Sequence, residues 1–244
     1  MEISKNHLHE LARLRQKKYR LAEGRVIVEG ERALSQIRDY GISPLEQYVG
    51  QGQKPLWSNI AAWELNPGQF SRICESEHPA GYAALLPVPV EREEDFRIAF
   101  YLDGIADPGN LGSIFRVAAA FGIGMVYVSP DCAELSSPKV IRSSLGAVYR
   151  VPFRTFAQDR IGGLGARVVA AEMRKGFPLR QIELRKEEKV IVALGSEAHG
   201  ISDALLSMTD ESWHIEMGDS MESLNVSVAA GIIAHHLSQR HFIN

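Results

Sequence analysis

Residues 97–129 read RIAFYLDGIADPGNLGSIFRVAAAFGIGMVYVS. An apolar run ends at Tyr101–Leu102, Pro108 and Gly109 set a sharp entry, Leu111–Phe121 has the composition of a short buried helix, and Met125–Val128 is apolar again. Strand, helix and strand in that order build a parallel sheet covered on both faces. The pattern continues downstream. PKVIRSSLGA reads as helical, ARVVAAE, KVIVALG and SWHIEM as strands, and the segment from about Ser223 to Gln239 as a last helix. Residues 96–244 are therefore expected to form an α/β domain with a mostly parallel sheet. Ligands of such sheets bind outside the carboxyl ends of the strands, which directs attention to the loops after Tyr101, Leu194 and Met217.

Upstream, GRVIVEGERALSQIRDYG predicts a strand and then a helix over Glu29–Tyr40 stopped by Gly41. LEQYV and GYAALLPV read as strands, with helical pieces around WSNIAAWEL and PGQFSRICE between them. Prolines 87 and 89 and the charged run after them mark a linker over 89–95. Residues 1–88 form a smaller α/β domain on this reading.

Composition excludes several classes. At 244 residues and 45% hydrophobic residues the chain can bury proper cores. No apolar run approaches the roughly 18 to 20 residues of a membrane span, and the N-terminus lacks a signal-peptide centre, so the expected place is the cytoplasm, with no membrane partner. Cys74 and Cys132 stand far apart without a CxxC partner, which argues against a disulfide framework or a thiolate zinc site. The net charge of −3 does not suit a protein that coats nucleic acid indiscriminately. Locally the balance differs: residues 1–25 carry Lys5, Arg13, Arg15, Lys17, Lys18, Arg20 and Arg25 against Glu2, Glu10 and Glu23. Either a solvated helix face or an RNA phosphate contact accounts for that segment.

Familiar ligand motifs fail in turn. Gly122 and Gly124 precede a strand instead of opening a helix, and Gly163 and Gly165 lack a third glycine, so no dinucleotide fingerprint is present. GSEAHG has the outer glycines of a phosphate loop, yet Ile201 and Ser202 follow where Lys and Ser or Thr should stand. G-x-S-x-G, HExxH and any Cys/His grouping at metal spacing are absent, and no metal is expected.

Three loops remain. In the first, Asn110 suits a helix N-cap and Arg116 is surrounded at three and four residues by Gly112, Ser113, Ala119 and Ala120. Small neighbours let a ligand approach the backbone, and a guanidinium presents a planar fork to phosphate or carboxylate; a buried Arg paired with a carboxylate is the plainer alternative. In the second, VIVALGSEAHGIS, a buried strand ends at Leu194, Gly195 permits close approach, and Glu197 stands at the strand mouth before Gly200. In the third, HIEMGDSMESLNVSVAAGIIAHH, a strand is expected to end at Met217. Ser223, Ser227, Ala230 and Ala234 make a small-residue stripe on the helix that follows, and Asn225 is a poor choice for a purely structural first turn.

Taken together and in this order, Asn110, Gly112 and Arg116 followed by VAAAFG, then Gly195, Glu197 and Gly200, then ESLNVSVA at 222–229, resemble the SpoU (TrmH-like) family of RNA ribose 2'-O-methyltransferases in the SPOUT superfamily. VIRSSLGAVYRVPF resembles the segment between that family's first and second motifs. The resemblance covers roughly 96–240. More loosely, residues 1–88 resemble the ribosomal-protein-like domain many members carry in front.

The resemblance implies a C-terminal deep trefoil knot, a homodimer, and S-adenosylmethionine held mainly by backbone groups at Leu194, Gly195, Glu197, Gly200, Ile215, Met217 and Leu224. It implies a methyl transfer to a ribose 2'-hydroxyl of structured RNA, ribosomal RNA ahead of transfer RNA, with residues 1–88 binding the substrate. The resemblance gives Arg116 proton removal with help from the RNA phosphate. Because a guanidinium stays protonated near neutrality, fixing phosphate and stabilising alkoxide charge come first on physical grounds. Asn110, Glu197, Ser223 and Asn225 would orient the Arg and the ribose. One departure is Glu216, where the family usually has Pro. A non-catalytic RNA-binding protein of the same fold, or a SPOUT enzyme methylating a base, are the alternatives.

Overall fold

The computed structural model describes residues 3–76, 79–185, 187–218 and 222–239. In chain order the elements are α1 (Lys5–Arg13), α2 (Lys17–Glu23), β1 (Arg25–Glu29), α3 (Glu31–Asp39), β2 (Glu46–Gly50), β3 (Ala62–Leu65), α4 (Pro67–Ile73) and β4 (Tyr82–Pro87). These are followed by β5 (Ile98–Asp103), α5 (Pro108–Phe121), β6 (Met125–Val128), α6 (Pro138–Ser143), α7 (Ala147–Arg150), β7 (Phe153–Thr155) and β8 (Arg167–Glu172). The last are β9 (Phe177–Pro178), β10 (Val190–Gly195), α8 (Asp203–Leu206), β11 (Glu211–His214) and α9 (Val226–Gln239). They divide into two compact units: 1–90 with 134–150, and 91–133 with 151–244. Residues 134–150, inside the span read from sequence as the second domain, pack with the first unit.

Among the described residues the first unit holds a four-stranded sheet in the order β1-β4-β2-β3. Its middle strands pair antiparallel, while β2 and β3 run parallel. The helix expected at WSNIAAWEL is not there; Ala62–Leu65 pairs with β2 as a strand. Trp63 suits a half-buried pleat, and the next helix is started afresh by an Asn66 capping box with Gln69. Leu8, Leu11, Leu14, Ile27, Tyr48, Phe70 and Leu85 share the core. Two of this unit's ion pairs have a buried member. Buried Glu29 accepts from Arg142 Nη1 at 2.6 Å and from the backbone N–H groups of Glu75 and Ser76. Arg20, only 5% exposed, donates to Glu134 at 2.8 Å and to the carbonyls of Leu14 and Arg15. Arg20 is thus removed from the basic surface that sequence assigned to it. Arg13, Lys17 and Lys18 remain exposed. Arg13 and Lys18 flank the Tyr19 ring at 4.1 and 4.7 Å, and a hydrogen bond and charge from Lys18, then from Arg13, hold its phenol below the usual value.

The second unit is a seven-stranded sheet among the described residues, in the order β7-β6-β5-β10-β8-β11-β9. Each of its pairings is parallel. The central strand β10 is buried from Val190 to Leu194, as a strand covered on both faces must be. Each of its Val and Ile side chains contributes about 1.5–3 kcal/mol by leaving water. Strands β5, β10, β8 and β11 bring their carboxyl ends to one edge, where the chain's candidate residues converge.

Several boundaries differ from the sequence reading. Helix α5 starts at Pro108, with Asp107 as N-cap accepting from the Asn110 N–H at 2.9 Å. Proline at the first helical position is pre-set for that start, so Asn110 lies inside the first turn and is not the cap. The helix in PKVIRSSLGA ends at Ser143, Leu145 takes φ of 51°, and a separate helix starts only at Ala147. Strand β11 stops at His214, leaving Ile215 and Met217 in a loop, and α9 begins at Val226 instead of Ser223. Of the small-residue stripe, Ala230 and Ala234 are fully buried within the chain, where α9 packs on α5, so they do not form an outward face.

Candidate active site

Strand β10 ends in Leu194–Gly195, and the chain turns back on itself at once. Ser196 and Gly200 exchange backbone hydrogen bonds of 3.1 and 2.8 Å. This turn makes Gly195 obligatory: a Cβ there would lie 2.1 Å from the carbonyl carbon of Gly200 and 2.2 Å from the N of Ile201. Gly200 supplies the left-handed residue of the same turn, with φ of 67°. Asp103, at the end of β5, anchors the returning chain by accepting from Ser202 N at 2.8 Å.

The turn forms one wall of a cavity of about 440 Å³. Leu194, Gly195, Glu197, Gly200, Ile215, Met217 and Leu224, the seven residues put forward from sequence for the cofactor, all line it, and so does Ser223. Trp213, Ala229 and Ile233 add apolar surface that sequence reasoning did not select. Glu172 and Met173, at the end of β8, were missed as well, although the rule about carboxyl ends of parallel strands could have found them. Among the described residues the lining carries Glu172, Glu197, Glu222 and His199 and no Lys or Arg, with Glu172 paired to Lys175 at 3.0 Å. Such a lining favours a ligand with cationic character and disfavours a polyphosphate. Small size, apolar walls and exposed strand-end backbone suit an adenosine bearing a sulfonium amino acid, and a volume in the range of about 300–1,000 Å³ is usual for small-molecule sites.

Glu216 does not line this cavity. It faces a smaller neighbouring one, and Arg180 Nε donates to its carboxylate at 2.6 Å. The departure from the family pattern is accommodated by an ion pair.

Beside the cavity a chain of amides links all three loops. Asn110 Nδ2 donates to Glu197 Oε1, and Asn225 Nδ2 donates to Asn110 Oδ1 at 3.0 Å. Asn225 Oδ1 in turn accepts from the Ser227 N–H at 2.9 Å and its hydroxyl at 2.6 Å. Asn225 therefore starts α9 and fixes Asn110 with opposite ends of one amide. Of the five residues proposed for chemistry, Asn110, Glu197 and Asn225 form this network and Ser223 is on the cavity wall. Arg116 stands apart from them. Six residues past Asn110, it projects about 120° further round α5. It is exposed, and among the described residues its guanidinium makes no side-chain hydrogen bond or ion pair. The alternative of a buried Arg neutralised by a carboxylate is overturned.

Neither cysteine is a candidate nucleophile. Burial pushes both thiols up from their ordinary range, and Cys132 Sγ is occupied at 3.2 Å by the carbonyl of Leu102. Among the described residues no group of three or more His, Cys, Asp or Glu could hold a metal ion. None of their helices is long and apolar enough to cross a membrane.

Comparison with known proteins gives a consistent result. The model of the SpoU rRNA methylase family matches residues 97–235. The 23S rRNA (guanosine(2553)-2'-O)-methyltransferase RlmP of Bacillus subtilis is 29% identical over 97% of this chain and 98% of its own. A solved structure from Porphyromonas gingivalis, described as a putative RNA methyltransferase of the TrmH family, is 30% identical with a TM-score of 0.82, covering 98% of this chain and all of that one. The SpoU methyltransferase AviRb of Streptomyces viridochromogenes, solved in complex with AdoMet, is 20% identical with a TM-score of 0.81 over 99% of this chain and all of its own, a likeness of fold.

Proposed function

We propose that this chain, which belongs to the SpoU rRNA methylase family and is an RNA methyltransferase, transfers a methyl group from S-adenosylmethionine to the ribose 2'-hydroxyl of a nucleotide in structured RNA, ribosomal RNA ahead of transfer RNA. The observation that carries this reading is the cavity: among the described residues it is lined by three carboxylates and no Lys or Arg, and every residue expected to hold the cofactor is on its wall. S-adenosylmethionine supplies an electrophilic methyl on a sulfonium. The chain has to hold it, bring a hydroxyl in line with it and take a proton away.

Those duties fall to different residues. The backbone of 194–200, 215–217 and 224 holds the cofactor. Glu197 is oriented by Asn110, which is oriented by Asn225, so the carboxylate at the cavity mouth is kept in place by hydrogen bonds to neutral groups. Arg116, exposed and unpaired among the described residues, binds the RNA phosphate and stabilises the alkoxide as the hydroxyl passes its proton to an oxygen of that phosphate, while the sulfonium leaves as the neutral thioether. Since it points away from the network of its own chain, it acts on the RNA at the cavity of a second copy. Homodimerisation through the outer face of α9, where Val228 is 49% and Ile232 38% exposed, brings this about. A trefoil knot through the 195–202 turn is part of the same proposal. Support for it comes from β10, which follows β5 and β8 in the chain yet lies between them, and from the tight crossing of Gly195 with Gly200–Ile201. The first unit, with Arg13, Lys17 and Lys18 on its surface, selects and anchors the RNA in the cytoplasm.

The test is transfer of labelled methyl from S-adenosylmethionine to ribosomal RNA extracted from cells lacking the gene, followed by mapping of the product. A 2'-O-methyl nucleotide is expected. Methyl on a base would replace the ribose assignment, and failure to bind S-adenosylmethionine in calorimetry would leave an RNA-binding protein without this activity.

A further inference from the structure

The cavity opens beside a short loop that the proposed reaction does not use. Between β8 and β9 the chain reads Met173, Arg174, Lys175, Gly176, Phe177. Met173 lines the cavity and is 59% exposed, and Phe177 is 54% exposed. What sets the two apart from other exposed apolar side chains is that they stand together on one short loop at the cavity rim. Arg174, Lys175 and Arg180 surround them, all exposed. Two of these cations share carboxylates, Lys175 Nζ with Glu172 at 3.0 Å and Arg180 with Glu216 at 2.6 Å, in solvent-exposed ion pairs weak enough for a phosphate to displace.

The loop is fixed in place. Gly176 has φ of 78° and crosses β11 so closely that a Cβ would lie 1.9 Å from the carbonyl oxygen of Ser212. Phe177 is then held in β register with Trp213, which lines the cavity. The ring is exposed on a pinned backbone, so little order has to be gained when something settles on it.

We infer that this rim, Met173 to Phe177 with Arg180, is a binding surface for the single-stranded nucleotides flanking the methylated one: Phe177 stacks on a base while Arg174 and Lys175 meet the phosphates. An aromatic face between cations is the chemistry that holds unpaired RNA, and stacking needs no particular base. Position supports the same occupant. A ribose brought to the cavity mouth carries its neighbours across the ground next to it, and the rim is the exposed aromatic and basic part of that ground. This inference rests on the RNA reading of the cavity.

The experiment uses the full-length protein and undermethylated ribosomal RNA from cells lacking the gene, with Phe177→Ala, Phe177→Trp and Arg174→Ala/Lys175→Ala compared with the parent. Phe177→Ala should raise the KM for RNA about tenfold, the change that removal of one stacking platform corresponds to, with kcat and S-adenosylmethionine affinity within about twofold. Phe177→Trp should restore the parent KM. The double variant should lower the salt dependence of RNA binding by roughly 0.7 for each phosphate that is no longer neutralised. Parent-like KM in Phe177→Ala overturns the rim. So does a variant that has become monomeric in sedimentation, which makes the surface an interface between copies. If the parent itself transfers no methyl, the cavity reading has failed; filter binding of the same RNA to parent and Phe177→Ala still decides the rim, equal affinities rejecting it.

Discussion

Arg116 and Gly195 illustrate two ways in which a single residue is constrained. Among the described residues Arg116 has no side-chain partner within its own chain, so its replacement leaves fold and cavity untouched. Arg116→Ala should reduce methyl transfer by at least about a hundredfold, the usual cost of removing a charge-stabilising donor, while calorimetry finds cofactor affinity within a few-fold of the parent. A folded variant that no longer binds cofactor would reject that division of labour. Gly195 is the opposite case, held by collision with the backbone of 200–201. Gly195→Ala should open the turn, reduce S-adenosylmethionine affinity more than tenfold and leave the rest of the sheet paired. Titration together with a thermal melt checks this, a parent-like affinity being the contrary result. Both residues stand out in the sequence because each breaks a local rule: a charge inside an apolar helix, a glycine at the end of a buried strand. The partners of Asn110 do not. Whether an amide caps its own helix or reaches across to another loop depends on Asp107 and Pro108 having already capped it.

Elements show a similar division. Strands β5, β6, β8 and β10 are legible as apolar runs because burial on both faces leaves no other composition available. Short elements whose pairing decides their state are not; Ala62–Leu65 is a strand only because β2 is beside it. Helix α9 is legible in the sequence, but the roles of its faces are not. A stripe of small residues suggests an outer interface, whereas Ala230 and Ala234 allow α9 to lie close on α5 inside the chain. The dimer is therefore tested on the opposite side of the helix. Val228→Asp with Ile232→Asp, on the outer face, should give a folded monomer that is nearly devoid of methyl transfer, read by sedimentation and assay. A fully active monomer would defeat the two-copy site. Ala230→Phe would instead overpack the core, at about 1–3 kcal/mol or more.

For the whole molecule, the two units are not consecutive stretches, and this affects how the RNA surface can be tested. Deleting residues 1–90 would strip 134–150 of the unit it packs with, exposing Val140 and Ile141, so loss of activity in that truncation would say nothing about RNA. Point changes are cleaner. Replacing Arg13, Lys17 and Lys18 by Ala should weaken RNA binding and lower its salt slope by roughly 0.7 to 0.9 per phosphate released from a cation, with no change in melting. Arg20→Ala should destabilise the unit by roughly 3 to 5 kcal/mol, since it leaves Glu134 without its cation, held among the described residues only by the Ser136 hydroxyl. An unchanged slope in the triple variant would remove this face from the RNA interface. That Arg20 turns inward is not legible in the sequence, because its partner lies 114 residues away.

The place of β10 in the sheet also constrains how the protein is made. Strands β5 and β8 are both synthesised before it, yet they are not each other's neighbours; the space between them belongs to residues 190–195. Until those residues leave the ribosome, the growing chain carries two unsatisfied strand edges facing a gap one strand wide. Exposed edges of that kind recruit whatever extended chain is nearby. Residues 190–233 thus complete the cavity and close the sheet in the same step, and a chain released before them would lack both the cavity and protection from aggregation.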